Sequence, residues 1–238
     1  MNLFESIDQR KSCRSYTMEP LSEPQLEEIH AAIAGFDQLY PDVKLDYRLA
    51  TETKGLYRVK APHYLVVSGN GQKGEKESAG FLFEQLVLWF DAMGIGCVWL
   101  GEAKDAQNYR KDDLITIAFG PSDESVHRKK TEFKRKAIEE ITNDPQDPCI
   151  GAVHLAPSGM NLQPWFLEKR DDKVLLYKKN LKPPLSFLYK KVDVDMGIAL
   201  CHYALACRQM DVPFQFKRSE QGPSKKGYEL FGEIYGIH

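Results

Sequence analysis

The chain has no apolar run suited to crossing a membrane. Its most hydrophobic stretch, residues 81–93, is too short and is interrupted by Glu84, Gln85 and Asp91. The start, Met-Asn-Leu-Phe-Glu-Ser, lacks a charged segment followed by an apolar one, so no secretory leader is expected. Cysteine is scarce and odd in number, at positions 13, 97, 149, 201 and 207, without paired spacing. That pattern fits reduced thiols and an expected cytoplasmic setting rather than a disulfide scaffold. Charge of one sign is also lacking: the formal net charge of -2 provides no basic field, which argues against nucleic acid as a partner. The six histidines are scattered, and no Cys or His spacing suits zinc, so no metal site is expected. Ser158 lacks the glycine pattern of a nucleophile elbow, and no catalytic triad is apparent. The loop Asn70-Gly71-Gln72-Lys73-Gly74 lacks the Gly-Lys-Ser/Thr ending of a phosphate loop, and no Gly-x-Gly-x-x-Gly dinucleotide fingerprint occurs.

What remains is 42% hydrophobic and 28% charged, the composition of a chain able to bury a large core. Residues 81–93 are polar at only three positions, so this segment reads as a helix running through a core rather than along a surface. Gly94 and Gly96 should end it. Residues 96–101 then read as a rigid loop in which Trp99 and Leu100 form an apolar wall beside bare backbone, a surface on which a flat ring could lie. Taken alone, the stretch is better explained by a buried helix with a glycine cap and nothing bound.

A second copy of the helix lies further along. Displacing the chain by 197 − 80 = 117 positions lays Gly197 on Gly80, Leu205 on Leu88 and Met210 on Met93 without a gap. Apolar residues also meet at Ile198 on Phe81 and Val212 on Ile95. The chain is therefore expected to comprise two related halves, residues 1–125 and 126–238, intimately packed. Gly94, Gly96 and Gly101 become Asp211, Pro213 and Arg218, so only the first half keeps the glycine-rich segment.

Arg10, Ser12 and Arg14 occupy alternate positions, and an extended backbone would turn their side chains to one side, where they could converge on an anion such as a phosphate. A solvated basic patch is the competing explanation. Ser22 with Gln25 forms a capping box opening a helix over 25–34. Strands are expected at 45–51, 63–68, 114–119, 165–169, 174–178, 214–217 and 229–235. The last is expected to cross to the sheet of the first half, as exchange between fused halves favours. His127, Arg128, Lys129, Lys130, Lys134, Arg135 and Lys136 form a basic run, read as a solvated helix start able to return one or two cations to the anion. Asp147-Pro148 opens a short helix, and Ala156 to Trp165 is a stiff, turn-rich loop before a strand.

Three motifs together resemble the nitroreductase family of FMN-dependent oxidoreductases: Arg-x-Ser-x-Arg at 10–14, Gly-Ile-Gly-Cys-Val-Trp-Leu-Gly at 94–101, and Ala-Pro-Ser-x-x-Asn-x-Gln-Pro-Trp at 156–165. Members of that family usually carry all three in one subunit and build two flavin sites across a homodimer interface. Here the first half keeps two motifs and the second half keeps the third, which is similar to the branch whose single chain mimics the dimer. The resemblance implies an α+β fold with a central, mostly antiparallel sheet flanked by helices and internally duplicated as a pseudo-dimer. It implies one FMN per chain and a monomer, with a homodimer left open.

By the same resemblance Arg10, Lys11 and Ser12 bind the FMN phosphate with Arg128 and Lys130, and Arg14 lies near the pyrimidine edge as an electrostatic tuner. Trp99, Leu100, Gly101 and Glu102 line the ring, with a backbone N–H of Gly101 or Glu102 offered to it. Tyr57 and Arg58 approach the ring, and Pro157, Ser158 and Asn161 cover it. Because FMN supplies the chemistry, no catalytic side chain is required. The implied activity is ping-pong transfer of hydride from NAD(P)H to a small acceptor such as a nitroaromatic or quinone. A flavin carrier or sensor without efficient turnover is the alternative.

Overall fold

The computed structural model describes residues 2–55 and 59–236 and divides into two compact units, Met1–Glu132 and Phe133–His238.

The first unit opens with helix α1 (Leu3–Ile7) and helix α2 (Glu23–Gly35). The expected capping box is present, with the Ser22 N–H donating to Gln25 Oε1 at 2.9 Å. Strands β1 (Asp46–Ala50), β2 (Thr53–Lys54) and β3 (His63–Ser68) follow. Helix α3 (Glu75–Ala92) then leads to β4 (Gly96–Leu100), β5 (Lys104–Asp105) and β6 (Asp113–Gly120). Four strands form an antiparallel sheet in the order β1-β3-β6-β4, while β2 and β5 pair separately. Helix α3 is buried on nearly every side, as its few polar positions predict; Phe83, Leu86, Leu88 and Phe90 are wholly inaccessible. Phe90 stacks on Phe119 of β6 with ring centroids 4.9 Å apart, fastening helix to sheet.

Arg48 of β1 ties the sheet to its margin. Its guanidinium meets both carboxylate oxygens of Asp113 at 2.7 and 2.8 Å, and its Nε donates to Asp105 at 3.1 Å. Ser68 of β3 shares the same carboxylate at 2.7 Å.

The second unit contains α4 (Pro148–Leu155), β7 (Trp165–Lys169), β8 (Lys173–Lys179), α5 (Leu185–Leu188), α6 (Val192–Gln209), β9 (Gln215–Arg218) and β10 (Tyr228–Tyr235). Asp147 caps α4 by accepting from Cys149 N and Ile150 N, as Asp-Pro predicts. Its antiparallel sheet has the order β7-β8-β10-β9. In each unit two adjacent strands precede the long helix, the next strand takes an edge, and the last strand inserts beside it.

The agreement extends to single hydrogen bonds. Both long helices have 18 residues. In α3 the N–H of Ile95 reaches back to the Phe90 carbonyl at 2.8 Å across Gly94, which has φ 71°. In α6 the N–H of Val212 reaches back to the Cys207 carbonyl at 2.9 Å across Asp211, with φ 55°. This is the left-handed helix stop that favours glycine, retained at Asp211 without one.

Three expectations are corrected. Residues 96–100 are not a loop but strand β4, pairing from Gly96↔Gly120 to Leu100↔Thr116, because Cys97-Val98-Trp99-Leu100 suits a pleated ladder once Gly94 has turned the chain. The C-terminal strand does not cross to the first sheet: β10 lies between β8 and β9 and is paired on both edges. The basic run 127–136 forms only a three-residue 3-10 turn at Lys130–Glu132, and the side chains of His127, Arg128, Lys130, Arg135 and Lys136 go to separate partners.

Candidate functional site

In the first unit the chain leaves α1 and runs extended between two other segments. Arg10 forms an isolated bridge with His127, and Ser12 bridges in parallel to Cys97 of β4. The N–H of Lys11 donates to the Val126 carbonyl at 3.1 Å, and that of Cys13 donates to the Cys97 carbonyl at 2.9 Å. This framework fixes where Arg10 can point. Arg10 as a whole is 3% exposed, and its guanidinium donates from Nη2 to Ser12 Oγ at 3.0 Å. Nε and Nη1 are buried and have no hydrogen-bond partner among the described residues.

A second guanidinium stands close by. Arg128 donates from Nε to the Arg10 carbonyl at 2.9 Å, and its pKa is lowered first by burial and next by the charge of Arg10. Asp91, the carboxylate within electrostatic reach of Arg10, is engaged by Gln9 at 3.1 Å and lies 3.5 Å from His127. Burial raises the Asp91 pKa, against the lowering effects of Gln9 and His127. Buried donors left unmet are costly, and two neighbouring cations repel. An anion with several acceptor oxygens would relieve both costs. The residues present therefore fit a phosphate group.

The other expected residues are distributed as follows. Lys11 is paired with Glu124 at 2.9 Å and Lys130 with Asp8 at 2.9 Å, both near the surface. Arg14 is exposed and makes no hydrogen bond or ion pair among the described residues. Trp99 is half-buried and donates from Nε1 to Glu84 Oε2 at 2.8 Å, tying β4 to α3. Leu100 turns into a core cluster with Cys13, Tyr16 and Tyr64, so only its backbone is left to line a ligand. Gly101 and Glu102 form the turn after β4. Tyr57 and Arg58 lie outside the described residues.

In the second unit Pro157, Ser158 and Asn161 lie on the loop between α4 and β7. Met160 (φ 52°), Asn161 (φ 55°) and Gln163 (φ 42°) are left-handed although none is glycine. Ser158 Oγ accepts from the Gln163 N–H at 2.8 Å. Asn161 accepts from Arg135 Nη1 at 2.9 Å and donates to the Lys134 carbonyl at 2.8 Å. Its side chain is therefore held by two residues of the basic run, an assignment the sequence pattern did not suggest. Two further residues that bear on this loop were also missed, Tyr189 just after α5 and Asp195 in the first turn of α6. An acid in the first turn of a helix ordinarily reads as a solvated complement to the helix dipole, so nothing in the sequence marked Asp195 as buried. A cleft of about 300 Å³ beside them is lined in part by Lys178, Ser186, Tyr189, Lys190 and Asp193. Lys178 within it is bound by Asp193 at 2.7 Å and Glu229 at 2.6 Å.

Among the described residues, no group of three or more His, Cys, Asp or Glu is arranged to hold a metal, and no helix is long and apolar enough to cross a membrane.

Comparison with solved structures gives a TM-score of 0.67 to a nitroreductase described from Thermotoga maritima, at 23% identity, covering 97% of this chain and 94% of that one. That likeness shows the fold. A nitroreductase family protein from Clostridium difficile 630 aligns with 59% of this chain and 96% of its own at 15% identity and a TM-score of 0.47. A protein described as an FMN-dependent nitroreductase, from Clostridium difficile R20291, aligns with 54% of this chain and 93% of its own at 15% identity and a TM-score of 0.43. No curated protein matches the sequence. A family model described as "Putative TM nitroreductase" matches residues 2–207, and the chain belongs to that nitroreductase family.

Proposed function

We propose that this chain is an FMN-dependent oxidoreductase that takes a hydride from NADH or NADPH and delivers it to a small acceptor such as a nitroaromatic or a quinone. The observation that carries the reading is the buried Arg10 guanidinium, with two donors unmet and Arg128 beside it. FMN carries a phosphate that matches this seat, and its ring, when bound, supplies the hydride chemistry.

The side chains then have separate tasks. Arg10, Ser12 and Arg128 hold the phosphate through charge-assisted hydrogen bonds. Lys11 and Lys130 contribute charge but are already paired with Glu124 and Asp8. Arg14, an exposed cation, stabilises negative charge on the ring and favours reduction. Trp99, the backbone of Leu100 and the turn at Gly101 and Glu102 line the ring. Pro157, Ser158 and Asn161 cover it. The required motifs are divided between the units, so the reading expects one FMN per chain. We read the units as copies of one ancestral fold, supported by their common strand order and by the helix stops at Gly94 and Asp211. A monomer then suffices.

Purified protein mixed with FMN, NADH or NADPH, and a nitroaromatic or quinone tests the proposal. Steady consumption of the reduced nicotinamide over many turnovers supports it. Reduction once per flavin without turnover would instead identify a carrier or sensor, and failure to bind FMN removes both.

A further inference from the structure

The loop over residues 157–163 holds three non-glycine residues in the left-handed region, so something must keep it there. Its N–H at Gly159 donates to Asp195 Oδ1 at 3.0 Å, and the Tyr189 hydroxyl donates to Oδ2 of the same carboxylate at 2.8 Å. Glycine is required at 159, since a Cβ there would collide with the Tyr189 ring and hydroxyl. Asp195 is 2% exposed and makes no hydrogen bond to a cation among the described residues. A carboxylate so placed costs stability that an apolar side chain would not. What it provides instead is a hold on the loop at Gly159, braced by Tyr189, whose ring lies against that glycine.

We propose that Asp195 is a protonation-sensitive latch that, with Tyr189, positions the loop bearing Ser158 and Asn161 and so regulates flavin affinity. The regulatory part rests on the FMN reading; the latch itself does not.

Burial rather than a neighbouring charge sets the sign, because the charged groups on the adjoining elements are engaged elsewhere or do not act on it. On its own helix Asp193 raises its pKa, but Asp193 is paired with Lys178. Before the helix, Lys190 and Lys191 flank the segment that carries Tyr189. From the loop side, Arg135 is taken up by Asn161 and the Leu155 carbonyl. On α4, His154 meets the Lys136 carbonyl. Burial, the largest cause, pushes the Asp195 pKa up from 3.8 to about 7, with the bonds from Gly159 and Tyr189 pulling down against it. The closed latch therefore binds its proton more tightly than an open, hydrated one. Closure is fully favoured below the ordinary carboxylate range and is lost as pH rises through about 7.

The test is amide hydrogen exchange across residues 157–163 of the flavin-free full chain, corrected for intrinsic pH dependence, with FMN affinity measured in parallel. Wild-type protection at Gly159 should fall about tenfold or more between pH 5 and 7.5. Asp195→Asn, neutral and still able to accept from Gly159, should stay protected across that range. Asp195→Ala should be unprotected throughout. Tyr189→Phe, which removes a bond favouring the ionised form, should move the midpoint to higher pH. FMN affinity should follow the same order, with Asp195→Ala weaker by about tenfold at low pH. Protection that is independent of pH and unchanged in Asp195→Ala overturns the latch. Protection that changes while flavin affinity does not overturns the regulatory role. If the wild type binds no FMN, the functional reading fails, and the exchange profile alone still decides the latch.

Discussion

Arg10 is held in a position that stability alone does not explain. A guanidinium with two unmet buried donors weakens the fold unless a partner arrives. Arg10→Leu should therefore leave the thermal midpoint of the flavin-free protein unchanged or raised, while weakening FMN binding by roughly 2–3 kcal/mol, as fluorescence titration would show. A lowered thermal midpoint with unchanged flavin affinity would mark Arg10 as purely structural. His63 makes the opposite kind of commitment. Its Nε2 accepts from the Leu21 N–H at 2.8 Å, and burial lowers its pKa. The folded protein thus binds this proton less tightly than the unfolded chain. The contribution is complete above the ordinary histidine pKa of about 6.5 and is lost as pH falls below it. Denaturant titrations between pH 5 and 8 should show that slope flattened in His63→Gln. At this scale the sequence showed which cations to watch, from the alternation of Arg10, Ser12 and Arg14. It did not show their fates: Arg14 is exposed while Arg10 is buried, because the latter alone is bridged to His127.

The elements were more legible than their edges. Strands β3 and β7 occupy the expected residues, since continuous apolar or aromatic runs bounded by turn residues leave little choice. Segment 96–100 misled because a glycine at each end imitates a loop, and the pairing that overrides it comes from β6, whose partnership no local pattern reveals. The matched helix stops give a direct test of backbone strain. Gly94→Ala should cost about 1–2 kcal/mol in denaturant unfolding, all of it conformational, because open space surrounds the position where a Cβ would sit. Asp211→Gly should gain roughly 0.5–1 kcal/mol by supplying the residue that its left-handed backbone favours. Equal and negligible effects would refute the shared conformation. Arg48→Met is the corresponding test of the first sheet. It strands Asp105 and Asp113, whose carboxyls burial would raise but whose bonds to Arg48 and to backbone N–H groups hold low. A loss of about 3–5 kcal/mol is expected at neutral pH. The wild type should lose that contribution as pH falls below the ordinary aspartate range, and the variant should not.

On the scale of the whole molecule, two units with the same strand order carry different candidate residues. The first presents the buried Arg10 guanidinium with Arg128 bound to its carbonyl, and the second presents the tightly wound loop at 157–163. The likeness of the halves was readable because a buried helix repeats its apolar pattern without a gap. The hold of Asp195 and Tyr189 on the loop was not, since it joins residues 36 positions apart through a carboxylate that the sequence places in an ordinary first turn. If the halves divided one ancestral pair of sites between them, the protein should take up a single cofactor. Titration of the purified chain with FMN by calorimetry measures this directly. The account predicts one FMN per chain, with binding weakened in Arg10→Leu. Two equivalents of FMN, none at all, or unaltered affinity in that variant would contradict it.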